Sequence, residues 1–274
     1  ILVLVCCALG GIAYLVTSGD DSDQKQGKMG EKLLPDLSLG DIAAVNIKDH
    51  EHSVTLKKGE EAWGIEEKFN YPADFSKITD VVEKLRDAKV GRVFKAGDKT
   101  LSRLSLHSPD KADASEDERG SRITLEDKEK KVLADLIIGK QRDASAGAGG
   151  HYVSFAKDYF TVYLVDKSFR FLDKESEKWL DKKLLEVKAE DVEKVVCIDP
   201  ESKKTIYTLT RPEKGKDPEL AEMPPGKKIK KSKVDEVFKA LSYLRIENIA
   251  DPEKKTDESG TDASPYFEFH LFDG

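Results

Sequence analysis

Apolar positions along this chain recur at two periods, and the helical one occurs twice. In Phe75–Ala88, Ile78, Val81, Val82, Leu85 and Ala88 fall three or four residues apart or side by side, which lines one face of an α-helix. In Ser232–Leu244, Val234, Val237, Phe238, Leu241 and Leu244 repeat that spacing 156 positions further on (234 against 78). The spacing predicts a unit used twice. Strict alternation, the signature of half-buried strands, marks most of the rest. Val45 and Ile47 alternate in Ala43–Lys48, Val54 and Leu56 in Ser53–Lys57, and a third strand surrounds Trp63 and Ile65. Asp74 is the predicted N-cap of the first helix, its carboxylate placed to accept from backbone N–H groups that have no partner within the helix.

After that helix, strands are expected at Lys89–Phe94, Ser121–Glu126, Lys131–Ile138, His151–Ala156 and Thr161–Asp166, in an antiparallel meander. The charged stretch His107–Gly120 is expected to be a mobile loop. Trp179–Leu185 bridges to a second copy. There Asp191–Ile198 matches Asp41–Lys48 at an offset of 150 (191 against 41), Thr205–Arg211 supplies the next strand, and Arg245–Ala250 and Tyr266–Phe272 supply later ones. By analogy with the first copy, Asp273-Gly274 is read as the turn of a hairpin whose second strand is missing, and the chain as truncated at both ends.

The fold class expected is therefore α+β: a duplicated unit of antiparallel strands with one packing helix per repeat, preceded by an N-terminal transmembrane helix. The domain plan is an anchor over 1–18, a flexible linker over 19–32, a first α+β repeat over 33–178 and a second over 179–274. The anchor rests on Ile1–Val16, which carries no charge. Its length, about 24 Å as a helix, approaches the roughly 30 Å of a bilayer core. A cleavable signal peptide and a buried core helix are the alternatives weighed. Acidic Asp20, Asp21 and Asp23 just beyond it orient the rest of the chain outside the cytoplasmic membrane, single-pass and periplasmic.

Charge and cysteine usage narrow the function classes. The 274 residues carry a formal net charge of −7 with acids and bases interspersed, which argues against nucleic acid, since phosphate binding needs a basic stripe. Three cysteines, two of them in the apolar N-terminus, form no disulfide framework and no metal spacing.

Each candidate for chemistry has a plainer account. His50-Glu51-His52 offers two imidazoles but no third metal ligand, so a solvated turn is favoured. Gly147, Gly149 and Gly150 precede a strand, whereas a phosphate cradle opens a helix. The lysines 227, 228, 230, 231 and 233 are a candidate for anionic lipid headgroups and more simply a solvated loop. Glu60-Glu61, Glu66-Glu67 and Glu116-Asp117-Glu118 are adjacent carboxylates on polar segments, without the cleft that acid/base work needs. No serine has a GxSxG context, Cys197 stands where the first copy has Ile47, and Tyr152, Phe155, Tyr159, Phe160 and Tyr163 are a candidate binding face and more simply alternate between core and edge. No catalytic, cofactor-binding or metal residue is assigned, and the chain is expected not to be an enzyme.

The segments YPADFSKITDVVEKLRDAKVGRVF, RITLEDKEKKVLADLIIGK, GGHYVSF, VYLVD and WLDKKLLEV, in that order, resemble the bacterial family called domain of unknown function 4340. The likeness covers about Leu33–Arg211 and is weaker in the second copy. The resemblance implies a membrane-anchored auxiliary component of gliding-motility-type ABC transport systems, with no catalytic residues to carry over. The expected function is a membrane-anchored extracytoplasmic accessory or scaffold protein, with ABC transporter membrane subunits or envelope proteins as partners. The alternative is a tethered envelope module that recognises a ligand in a groove between the two repeats.

Overall fold

The computed structural model describes residues 29–143, 149–222, 226, 228–253 and 264–273. Strand takes 37% of the described residues and helix of all kinds 21%, which overturns the α+β expectation: this is a mostly β chain with few helices. The helical stripe promised one substantial helix per repeat, and only the first delivers it. Among the described residues no helix is long and apolar enough to cross a membrane, and the N-terminal transmembrane helix is not supported; the segment proposed for it lies outside the described residues.

Two compact units interleave along the chain. One combines the residues up to Glu51 with Thr79–Leu172, the other His52–Ile78 with Asp173–Gly274. In the first unit, β1 (Ala44–Lys48), β5 (Val90–Lys95), β6 (Ser121–Glu126), β7 (Val132–Gln141), β8 (His151–Phe155) and β9 (Asp158–Val165) lie side by side in the order β1-β6-β7-β8-β9-β5. All these pairings are antiparallel. Alternation explains the burial: Val45, Ile47, Ile123 and Leu125 are at most 1% exposed, while their neighbours in sequence are more open.

Helix α1 (Phe75–Asp87) follows the strands of the first hairpins, and its stripe behaves as the spacing requires, with Ile78, Val81, Val82 and Leu85 all buried. Asp74 caps it, its Oδ1 accepting from the Ser76 N–H at 3.0 Å and more loosely from Lys77 at 3.4 Å. The short helix α2 (Asp98–Arg103) buries Leu101 against Leu106, Ile137, Val162 and Ala96.

In the second unit, β2 (Ser53–Lys58), β3 (Trp63–Ile65) and β4 (Tyr71–Pro72) pair in sequence. A four-stranded sheet runs β13 (Glu219–Leu220), β12 (Thr205–Thr210), β11 (Val192–Ile198), β15 (Tyr266–Leu271). Helix α3 (Lys231–Phe238) covers it through Val234 and Phe238, which pack with Val192, Val195 and Leu209. The predicted helix Ser232–Leu244 stops at Phe238, and the chain passes through a 3-10 turn, Ala240–Tyr243, into the two-residue strand β14 (Leu244–Arg245). β14 pairs with β10 (Lys183–Leu185) as an isolated ribbon. The strand expected over Arg245–Ala250 is thus limited to its first residue.

Candidate functional site

The stretch expected to be a mobile loop is instead tied down. Arg119 Nε donates to the Ala114 carbonyl at 2.9 Å, and the Ser115 N–H donates to Glu118 in a capping box around a 3-10 turn at Glu116–Glu118. At its start His107, 3% exposed, joins a chain of polar contacts that no sequence motif marks. Lys111 Nζ lies 3.4 Å from His107 Nδ1, and His107 Nε2 lies 3.0 Å from Ser102 Oγ.

The direction of these bonds decides what they can do. An ammonium only donates, so Nδ1 accepts from Lys111, Nε2 carries the ring proton, and that proton points at Ser102. Ser102 in turn donates to Glu118. The Glu118 carboxyl is held below its usual range first by the Ser115 N–H, then by the Ser102 and Ser115 hydroxyls. A serine nucleophile needs the opposite arrangement, an imidazole nitrogen free to take its proton and a carboxylate behind the ring. The relay runs from cation to anion and fastens α2 to the 3-10 turn. His107 also borders a cavity of about 300 Å³ with Lys111, Arg122, Ile137 and Tyr159. Arg122 is engaged there, its Nε and Nη2 donating to the two oxygens of Asp135 at 2.8 and 2.6 Å, which raises its pKa further.

A larger cavity, about 630 Å³, opens in the second unit beside α3. Arg211, 8% exposed, places its guanidinium carbon 4.8 Å over the Phe238 ring and donates from Nη1 to the Lys216 carbonyl at 2.7 Å. Its Nε is enclosed and has no acceptor among the described residues. Acids and bases alternate on the walls, with Asp217 and Lys231 paired at 2.7 Å, so the cavity favours neither sign of charge.

The residues singled out in the sequence are scattered. His50 Nε2 lies 3.2 Å from Glu116 Oε1 and 3.7 Å from Glu51 Oε1, while among the described residues no three His, Cys, Asp or Glu side chains are grouped to hold a metal. Gly147 and Lys227 lie outside the described residues. At Gly150 a side chain would run into the Val165 carbonyl, so close backbone approach accounts for that glycine. Lys231 and Lys233 sit in α3 and pair with Asp217 and Glu236. Cys197 is buried. Tyr163 is buried and packs edge-on against Phe155 at 5.5 Å, whereas Tyr159 and Phe160 stay exposed.

Several solvent-facing apolar side chains lie on or beside the β10–β14 ribbon. Leu185 stands opposite Leu244 across it, 47% and 39% exposed, flanked by Leu184 at 48% and Tyr243 at 78%. Residues 63–264 match the model of a family described as a domain of unknown function, DUF4340. No curated protein and no solved structure matches the chain.

Proposed function

The chain belongs to the DUF4340 family, and from that premise we propose that it is a non-enzymatic accessory or scaffold protein that holds a protein partner against the β10–β14 ribbon. One observation carries the reading: Leu185 and Leu244, opposite each other across the ribbon, are both left exposed, as are their chain neighbours Leu184 and Tyr243. Scattered exposed leucines need no explanation, but an exposed cross-strand pair of leucines on a two-stranded ribbon does, because such a ribbon is marginal by itself and gains stability when covered. The partner class follows the family resemblance: a membrane subunit of an ABC-type transport system, engaged outside the cytoplasm.

The test is affinity capture of the tagged chain from its native cells after mild cross-linking, beside a Leu185→Lys, Leu244→Lys double variant. The expected result is recovery of transporter subunits with the native chain and at least about a hundredfold less with the variant, since two buried leucines contribute about 1.5 to 3 kcal/mol each. Recovery without any transporter subunit would remove the transport assignment. Equal recovery by both proteins would remove the ribbon.

A further inference from the structure

Only nine of the chain's 46 basic residues are arginine, yet three of the nine, Arg92, Arg103 and Arg142, line one cavity of about 690 Å³ in the first unit, and no lysine does. That volume suits a small molecule. Asp143 is the one acid on the walls, so three cations against one anion leave the lining at +2 in a chain whose net charge is −7. The choice of arginine over lysine concerns geometry: a guanidinium offers a planar fork to two oxygens of one carboxylate or phosphate, whereas an ammonium is a point charge.

Elsewhere in the chain that fork is filled. Arg86 donates from Nε and Nη2 to the two oxygens of Asp87 at 2.9 and 2.7 Å, and Arg122 grips Asp135 in the same way. On the cavity wall Arg142 and Asp143 are engaged too, but Arg92 and Arg103 meet no carboxylate among the described residues. Both stand on fixed backbone. Arg92 lies in β5 with its guanidinium carbon 5.5 Å over the Phe94 ring, and Phe94 stands edge-on to Tyr152 at 6.4 Å. Arg103 closes α2, which Leu101, 0% exposed, anchors in the core. Phe94 and Tyr152 pack on the cluster around Leu101 and also line the cavity, so an apolar wall adjoins the two open forks.

We propose that this cavity binds a phosphate monoester whose organic part is apolar. Arg92 and Arg103 take the phosphate oxygens, and the organic part lies against Phe94 and Tyr152. A monoester is close to a dianion at neutral pH, which balances the charge of the lining. The site belongs to the first unit and depends on neither the ribbon nor the function proposed above.

Calorimetric titration of the full chain with phenyl phosphate tests it, with circular dichroism to verify that each variant folds. The native chain is expected to bind phenyl phosphate at least about tenfold more tightly than benzoate, a monoanion with the same ring, and Arg92→Gln and Arg103→Gln each to weaken it by at least about tenfold, the loss of one charge-assisted hydrogen bond. Lys99→Gln removes the same charge from α2 outside the cavity and is expected to change the affinity by under about twofold. A second arm distinguishes the sources of the phosphate by flotation with vesicles of equimolar phosphatidic acid and phosphatidylcholine, against phosphatidylcholine alone. Binding of phenyl phosphate supports the site with a soluble ester. Association with the phosphatidic acid vesicles that Arg103→Gln loses, without binding of phenyl phosphate, supports it with a lipid headgroup. No binding in either arm overturns the proposal, as do equal affinity for benzoate, arginine variants that bind like the native chain, or a loss in Lys99→Gln as large as that in Arg103→Gln.

Discussion

Lys68 and Glu177 are 109 positions apart in the chain and 2.6 Å apart in space, with the lysine side chain only 12% exposed. Hydrogen bonding by Lys68 is the main reason that the Glu177 carboxyl sits below its ordinary value of 4.5, with its own backbone N–H and Asn248 contributing. A carboxyl lowered in the folded state stabilises above its unfolded value, and that contribution is lost as pH falls through the lowered one. Glu177→Gln is expected to lower the denaturation midpoint by under about 1 kcal/mol equivalent near neutral pH, with the difference shrinking below about pH 4.5 and vanishing in stronger acid. Trp63 and Trp179 both belong to the second unit, as does this pair, so tryptophan fluorescence is the measurement. At this scale the sequence is legible where the interaction is local. Asp74 caps the helix that it precedes, and Cys197 is buried as its alignment with Ile47 requires. The relay from Lys111 through His107 and Ser102 to Glu118 left no such trace, because its members come from a helix, a loop and a 3-10 turn, and polar residues in a charged stretch look alike whether tied or free.

Strands were the most legible elements, since alternation is a short-range signal and the buried face of a sheet enforces it. The limits expected for Ser121–Glu126 are those observed, and most other strands agree within one to three residues. Helices were not equally legible. The spacing treats Leu85 and Leu241 as counterparts, yet Leu85 is 0% exposed in a thirteen-residue helix whereas Leu241 is half-buried in a 3-10 turn. Apolar residues at helical spacing do not show where a helix ends, and here it ends three residues before Leu241. Helix α2, six residues long, is too short for any period to show. Leu85→Ala is expected to cost about 2 to 5 kcal/mol, and Leu241→Ala under about 1.5, in urea denaturation followed by circular dichroism. Equal losses would mean that the two positions are equivalent after all.

For the whole molecule, the interleaving of the units has no local signature at all. Residues 52–78 join those after 172 through contacts such as the Asp74 N–H donating to the Trp179 carbonyl at 2.7 Å and the bridge between Ala73 and Leu180. A pattern read residue by residue cannot announce a partner more than a hundred positions away. The family match over 63–264 runs across both units, and it fixes membership without assigning a chemistry.

Long-range strand pairing also sets an order of events. Val45 reaches Leu125 across 80 positions and Val195 reaches Phe269 across 74, whereas β6 through β9 are joined to one another by short connections. Closing a long loop must precede any reward from its contacts, so the β1–β6 and β11–β15 ladders are expected to form late. Pulse-labelling hydrogen exchange during refolding should protect β6–β9 amides before those of β1. During that interval the flank of β6 that β1 will cover is an open strand edge, and mispairing is expected there first.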